Sequence, residues 1–556
     1  MLLNNCHFRR TEETCHPETS CHPEQHAVNE SALSAILAIV ALFALGVTHN
    51  AIAQAKPATA SSGEARATQA LEAAAKMGPA ALRGFLYAMP KGADLHSHLD
   101  GAVYAETFLR DAAEDGLCVD PIALAFTKPV AQTRSIPPQP VCGEGRVRAD
   151  SVTKDQHLYD QLIDSFSMRT FIPVSGKSGH DQFFDTFGRF EVLEGNHLGE
   201  WLDEIATRAA AQNEQYLEIL HTPGQFLQAA AMAEKVGYNP DFVQYRKQLL
   251  DAGLRDLIPA IRSDLDKGEA QRRELEGCGK PAATPACKLE IRYIYQVLRG
   301  KTPDSVFAQI LLGCELASAD PRVVGINLVQ PEDGYVAMTD YRLHMQMIDA
   351  MHPLYPKVHI SLHAGEIALG LVPPEGLKFH IRDAIEQGHA ERIGHGVDVM
   401  DEDHPYELLK EMAAKRIMVE VNLTSNDVIL NVKGPDHPLM MYRKYGVPVA
   451  LSTDDEGVSR IDLTREYVRA VDTYHFTYPE LKNMARTGLE HNFLPGQSLW
   501  VTPKSGDSFT QPTSACAGQV GKEQPIGKCA DFLKRSEKAT QQFELERRFK
   551  IFETNF

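Results

Sequence analysis

Positive charge is in short supply in this chain: 56 Lys and Arg stand against 74 Asp and Glu, for a formal net charge of −18. That deficit excludes a surface built to track a phosphate backbone, so no nucleic-acid partner is expected. Long apolar runs are also scarce. The one uncharged apolar stretch, 32–47, falls short of the roughly 20 residues a membrane span requires. No cysteines have zinc-finger spacing. A phosphate-binding loop is missing as well: Gly176-Lys177-Ser178 matches its tail, but Phe171 stands where the leading glycine is required.

What is present at the N-terminus reads as an address. The 32–47 run is followed by Ala53-Gln54-Ala55, a small-x-small cleavage pattern, and by polar Lys56-Pro57-Ala58-Thr59. This is the layout of a secretory signal peptide, so residues 1–55 are expected to be removed and the protein to be periplasmic or secreted, with no stable membrane insertion afterwards. The alternative is an uncleaved anchor. Upstream, Cys15-His16-Pro17-Glu18 recurs as Cys21-His22-Pro23-Glu24, which reads as low complexity or as translated sequence ahead of the true start, with a metal-binding tag as the alternative. Beyond residue 55, six cysteines form local couples in Pro/Gly-rich sequence: Cys118 with Cys142, Cys278 with Cys287, and Cys516 with Cys529. Such couples suit disulfides in an oxidising compartment. Cys314, in an apolar run, reads as a buried free thiol.

After a leader and N-terminal helix (56–89, helical over 67–89 and interrupted at Gly78-Pro79), strands and helices alternate. Strands are expected at 93–99, 215–220, 290–297, 323–329, 358–363, 392–395, 417–421 and 447–453, with amphipathic helices such as 340–351, 379–387 and 405–415 between them. Eight βα units imply an α/β fold, a closed (β/α)8 TIM barrel over 90–496. Residues 118–150 read as an inserted loop, His180 begins an amphipathic helix, and 497–556 read as a C-terminal helical extension on the barrel, with a charged helix over 529–552.

The chemistry gathers at the C-terminal ends of these strands, where such barrels keep their sites. His96 and His98 alternate along one strand and so share a face. His363, His395 and the Asp454-Asp455 pair close three later strands. Three imidazoles and a carboxylate (His96, His98, His363 and Asp454) suit one Zn²⁺ per chain. Glu366, three residues past His363, is placed to exchange protons with a substrate, although a helix-capping role is open to it. His395, between glycines, can orient a water molecule or take its proton. Asp455 is free to bind substrate. His359 reads as a core histidine, and His344, His352, His389 and His404 as solvated. Asn422-Leu423-Thr424 matches a glycosylation sequon but sits at a strand end, where chance explains it.

In its motifs Pro90-Lys91-x-x-Asp94-Leu95-His96-x-His98-Leu99-Asp100-Gly101, His363-Ala364-Gly365-Glu366, Arg392-Ile393-Gly394-His395-Gly396 and Ser452-Thr453-Asp454-Asp455, the chain resembles the adenosine deaminase family of zinc aminohydrolases. The resemblance implies zinc on His96, His98, His363 and Asp454. It implies Glu366 as proton donor to purine N1 as water attacks C6, His395 assisting that water, and Asp455 bonding N7. It places His98 and Asp100 at the substrate, with Asp100 on a ribose hydroxyl, so that the small-molecule partner would be adenosine or 2′-deoxyadenosine and the products inosine (or 2′-deoxyinosine) and ammonia. At the position where the family often has a glycine whose backbone meets N3, this chain has Gln330, whose N–H remains available and whose side chain is expected to reshape the pocket. Glu456-Gly457 replaces a frequent proline. Other purines as substrates, a phosphoester or amide hydrolase on a similar barrel, and an inactive purine-binding signalling protein are the competing readings. No strand-end lysine for a two-metal site is evident. Oligomeric state is not encoded in any pattern found.

Overall fold

The computed structural model describes residues 62–132, 139–174, 176–193, 197–503 and 506–556. The apolar run, cleavage pattern and Cys-His-Pro-Glu repeat of the N-terminus lie outside the described residues. No helix among the described residues is long and apolar enough to cross a membrane.

Two helices open the described chain, Gly63–Met77 and Pro79–Ala88. Gly78 separates them at φ 114°, a conformation only glycine adopts cheaply, and Pro79 starts the second helix where its missing N–H costs nothing. Strand β1 (Gly92–His98) follows. Residues 118–150 do not form a plain loop. Strands β2 (Cys118–Asp120), β3 (Ala125–Thr127) and β6 (Val147–Arg148) make one small antiparallel sheet, and β4 (Val130–Gln132) with β5 (Gln139–Val141) makes a hairpin. These strands are only two or three residues long, too short to show an alternating pattern in sequence. The Cys118–Cys142 disulfide fastens them, and Cys278–Cys287 and Cys516–Cys529 are joined as expected, leaving Cys314 free and buried.

The barrel is completed by β7 (Glu214–His221), β8 (Glu290–Leu298), β9 (Val323–Val329), β10 (His359–Ala364), β11 (Arg392–His395), β12 (Met418–Val421) and β13 (Val449–Leu451). All pairings are parallel and the strand order follows the chain, as right-handed βα connections dictate. The first and last strands meet at their tips: Asp454 N donates to His96 O at 2.8 Å, and His98 N to Asp454 O at 3.1 Å. Just below, Asp94 accepts from the backbone N and Oγ1 of Thr453. The structure is thus an eight-stranded parallel barrel with further helices beyond it.

At the C-terminus one expected helix is two, Lys528–Leu533 and Glu537–Glu553, because Ser536 caps the second. That second helix buries Leu545, Phe549 and Phe552 against the core; Phe552 lies edge-on to Phe85, 5.2 Å between centroids. Two histidine readings are corrected. His344 is fully buried on the inner face of Tyr341–Met351, while the side chain of His359 is 38 % exposed at the open N-terminal end of β10, where it pairs with Glu391 and stacks on Phe493. Facing direction along a strand was legible; depth along the barrel axis was not.

Candidate metal and purine site

Three imidazoles and one carboxylate converge at the barrel mouth. His96 Nε2 lies 3.0 Å and His98 Nε2 3.2 Å from His363 Nε2, and Asp454 Oδ1 lies 3.4 Å from His96 Nε2 and 3.1 Å from His98 Nε2. Four donors bound to one tetrahedral ion at about 2.0–2.1 Å stand roughly 3.3 Å apart, so these spacings fit a single metal ion. The hydrogen bonds behind the ring support this. His96 Nδ1 donates to Glu420 at 2.6 Å, His98 Nδ1 to Gln296 Oε1 at 2.8 Å, and His363 Nδ1 to Asn327 Oδ1 at 2.7 Å. The Asn327 oxygen is identified by its second donor, the backbone N of His363. With each proton on Nδ1, three Nε2 lone pairs face a carboxylate, an arrangement suited to a shared metal cation. His395 also lies close enough to His96, His363 and Asp454 to share an ion with them, and Asp455 to His98 and Asp454.

Burial shapes the acids around the ring. Glu366 is raised well above the ordinary carboxyl range by burial first and then by the negative charges of Asp454 and Glu332. Asp455 is likewise raised well above its usual value by burial and the adjacent Asp454. His395 is pushed down to about 3, chiefly by burial, and is neutral; its Nε2 is 3.6 Å from Glu366 Oε1. His395 (φ 69°), Asp454 (φ 62°) and Gln330 (φ 86°) all adopt left-handed backbone at strand exits, the kind of strain that concentrates at working sites.

Asp100, two residues beyond His98, does not continue the strand face that His96 and His98 share. The chain turns into the short helix Leu99–Ala102 immediately after His98, and that helix carries Asp100 to the cavity wall. Gly101 must be glycine because a Cβ there would overlap the Asp455 carboxylate. Gln330 also lines the cavity, but its side chain is drawn back: Oε1 accepts from the backbone N of Gly300 at 2.9 Å. Lys91, part of the first motif, points to the opposite end, its Nζ donating to the backbone oxygens of Leu86, Met89 and Gln212.

The cavity has a volume of about 320 Å³. His98, His363, Glu366 and Asp454 lie along it, and Phe183, Phe184 and Phe187, from the helix Gly179–Phe190, form one wall. No Lys or Arg is among its described lining residues. The sequence reading located that helix but not its role, since its phenylalanines share the helical spacing of ordinary core. It also missed Glu420, Asn327 and Gln296, and a second set of supports. The carboxylate of Glu332 accepts from the backbone N of Glu366 at 2.7 Å and of Gly365 at 3.1 Å, and from His380 Nδ1 at 2.5 Å. Burial opposes its charge, but His380 and Arg299 outweigh burial and hold it at about 2. Arg299 Nη1 donates to His363 O and Nε to Gln330 O. The signal for Glu420 was a carboxylate inside the apolar run Met418-Val419-Glu420-Val421.

The sequence model of the family described as adenosine deaminase matches residues 201–499. The chain belongs to the adenosine deaminase family. The match takes in the His363, His395 and Asp454 motifs, while the His96/His98 strand precedes it and joins the site through the fold. An adenosine deaminase of Clostridium perfringens (strain 13) is 28 % identical over 345 residues, 60 % of this chain and 92 % of the relative. One from Escherichia coli (strain SMS-3-5) is 34 % identical over 140 residues, 25 % of this chain and 39 % of the relative. Among solved structures, an adenine deaminase from Arthrobacter aurescens aligns at 18 % identity and TM-score 0.47, covering 73 % of this chain and 94 % of that one. An Arabidopsis N6-mAMP deaminase aligns at 20 % identity and TM-score 0.45, covering 74 % and 96 %. Family membership and the converging donors establish hydrolytic deaminase chemistry on a purine or nucleoside at a metal-binding barrel site.

Proposed function

We propose that this protein is a zinc-dependent adenosine deaminase, converting adenosine and 2′-deoxyadenosine with water to the inosines and ammonia. The observation that carries this reading is one cavity bordered by two buried carboxyls, Glu366 and Asp455, beside the His96/His98/His363/Asp454 donors. That donor set, nitrogen-rich with one carboxylate, suits zinc, which supplies Lewis-acid activation of a water molecule.

The chain's own groups do the rest. Purine N1 and N7 are both hydrogen-bond acceptors, so their partners must carry protons. Burial raises the proton affinity of Glu366 and Asp455, which favours the protonated, donating form each needs. Glu366 donates to N1, drawing electron density from C6 and opening it to attack; Asp455 holds N7 and fixes the ring's orientation. His395, at the edge of the Glu366 carboxyl, faces the oxygen that adds to C6. The phenylalanine wall excludes water from the ring's apolar faces. Asp100 accepts from a ribose hydroxyl, and the backbone N–H of Gln330 is available to N3.

Export to the periplasm or medium is part of the same proposal, supported by the signal-like leader and by three disulfides. The deciding assay is ammonia release from adenosine, 2′-deoxyadenosine, adenine and AMP side by side. Rapid turnover of the two nucleosides is expected. Preference for adenine or AMP, or no turnover of any purine, would overturn the assignment.

A further inference from the structure

Behind His395 runs a chain of buried hydrogen bonds that ends on a backbone donor. Leu439 N donates to His437 Nδ1 at 3.1 Å. A backbone N–H can only donate, so Nδ1 of His437 carries a lone pair. His437 is 3 % exposed and kept neutral by burial, so its single ring proton sits on Nε2. That Nε2 lies 3.0 Å from Asn426 Oδ1, which must accept. The amide is thereby oriented, and its Nδ2 donates to His395 Nδ1 at 2.9 Å. The Nδ2 of Asn422 approaches the same nitrogen at 3.5 Å. With Nδ1 accepting, the ring cannot carry a proton there, so its proton is on Nε2. That atom is buried and has no hydrogen-bond partner, and it faces the Glu366 side of the cavity.

We propose that Asn426 and His437 are positioning residues that lock His395 as an Nε2–H donor aimed at the oxygen added to purine C6. In this role His395 offers a hydrogen bond to developing negative charge and does not accept a proton at Nε2. A donor set in place beforehand stabilises such charge without reorganising during the reaction. The wiring also separates the two histidines that compete for the metal: a protonated Nε2 cannot be a ligand, so His98 and not His395 completes the set with His96, His363 and Asp454. The chain has a clear origin in sequence order. Asn426 lies on the helix Leu423–Leu430 after β12, and His437 precedes the helix Leu439–Tyr445, whose first N–H starts the relay.

The catalytic part of this inference rests on the deaminase reading above, whereas the tautomer is measurable without substrate. In ¹⁵N-histidine-labelled full-length protein loaded with zinc, the His395 signals, assigned by their loss in His395→Gln, should show a protonated Nε2 and an unprotonated Nδ1. Asn426→Asp replaces the donor with an acceptor and should move the proton to Nδ1. In turnover, Asn426→Asp and His437→Ala should lower kcat by about 10- to 100-fold, the usual scale for groups that orient a reacting residue. KM should stay within about threefold and zinc at one per chain. His437→Gln, whose amide can still donate to Asn426, should recover most of the rate. Nδ1 protonation in the wild type overturns the proposal, as does near-normal kcat in both Asn426→Asp and His437→Ala. If those variants fail to fold, the wild-type spectrum and His437→Gln still decide the tautomer. A wild type that shows the Nε2 proton but deaminates no purine sinks the proposed function and leaves the wiring standing.

Discussion

Asp454 and His96 meet twice: the backbone N of Asp454 donates to His96 O at 2.8 Å, and its Oδ1 lies 3.4 Å from His96 Nε2. The seam that closes the barrel and the metal-binding edge are therefore the same contact. A cation held by the two side chains would pull together the first and last strands, so metal binding is expected to be coupled to barrel closure.

One zinc per chain is expected on metal analysis of the purified protein. Chelation should abolish deamination and lower the melting temperature, and added zinc should restore both. Two equivalents per chain, or full activity in metal-free protein, would contradict the single site.

Glu366→Gln should keep the metal and lose activity by roughly 10²-fold or more, the scale of general acid–base groups. The pH dependence has a definite sign. Glu366 works protonated, and its proton affinity is raised. Activity should therefore survive above the ordinary carboxyl range and fall as pH climbs through the elevated value. Near-normal turnover in the variant would show that Glu366 is not the proton donor; among the described residues no helix starts beside it for its carboxylate to cap.

Asp100→Ala tests the sugar contact. It should lower kcat/KM for adenosine while changing an already low value for adenine little, the signature of a contact made only to ribose. AMP should be a poor substrate of the wild type, because Asp100 repels a phosphate and no Lys or Arg among the described lining residues offsets it. Unchanged adenosine kinetics would remove Asp100 from the substrate.

Glu332→Ala leaves Arg299 and His380 buried without their carboxylate and frees the amides of Gly365 and Glu366. Breaking such a buried group typically costs about 3–5 kcal/mol. The denaturant midpoint should fall accordingly; an unchanged midpoint would show that water satisfies the site.

Peptide mapping without reductant should return 118–142, 278–287 and 516–529, with Cys314 unmodified until the protein unfolds. Each bridge is worth about 2–4 kcal/mol if unstrained. All six thiols reduced in protein recovered from the periplasm would argue against export.

Sequence alone determined the order and type of the barrel elements and the side chains at their exits. A strand shows a period of two and a helix one of 3.6, and both survive in a one-dimensional string. Thus 392–395 and 405–415 coincide with β11 and the helix Pro405–Lys415 residue for residue. What only the tertiary structure decided is which side chains meet across strands. Glu420 reaches His96 across 324 positions of sequence, past the intervening β13, and Asn327 reaches His363 across 36 from the neighbouring strand, because closing the barrel turns these side chains into one interior. The same holds for Asp100, displaced by a helical turn, and for the Leu439–His437–Asn426–His395 relay. Periodicity tells which way a side chain faces; closing the barrel decides what it faces.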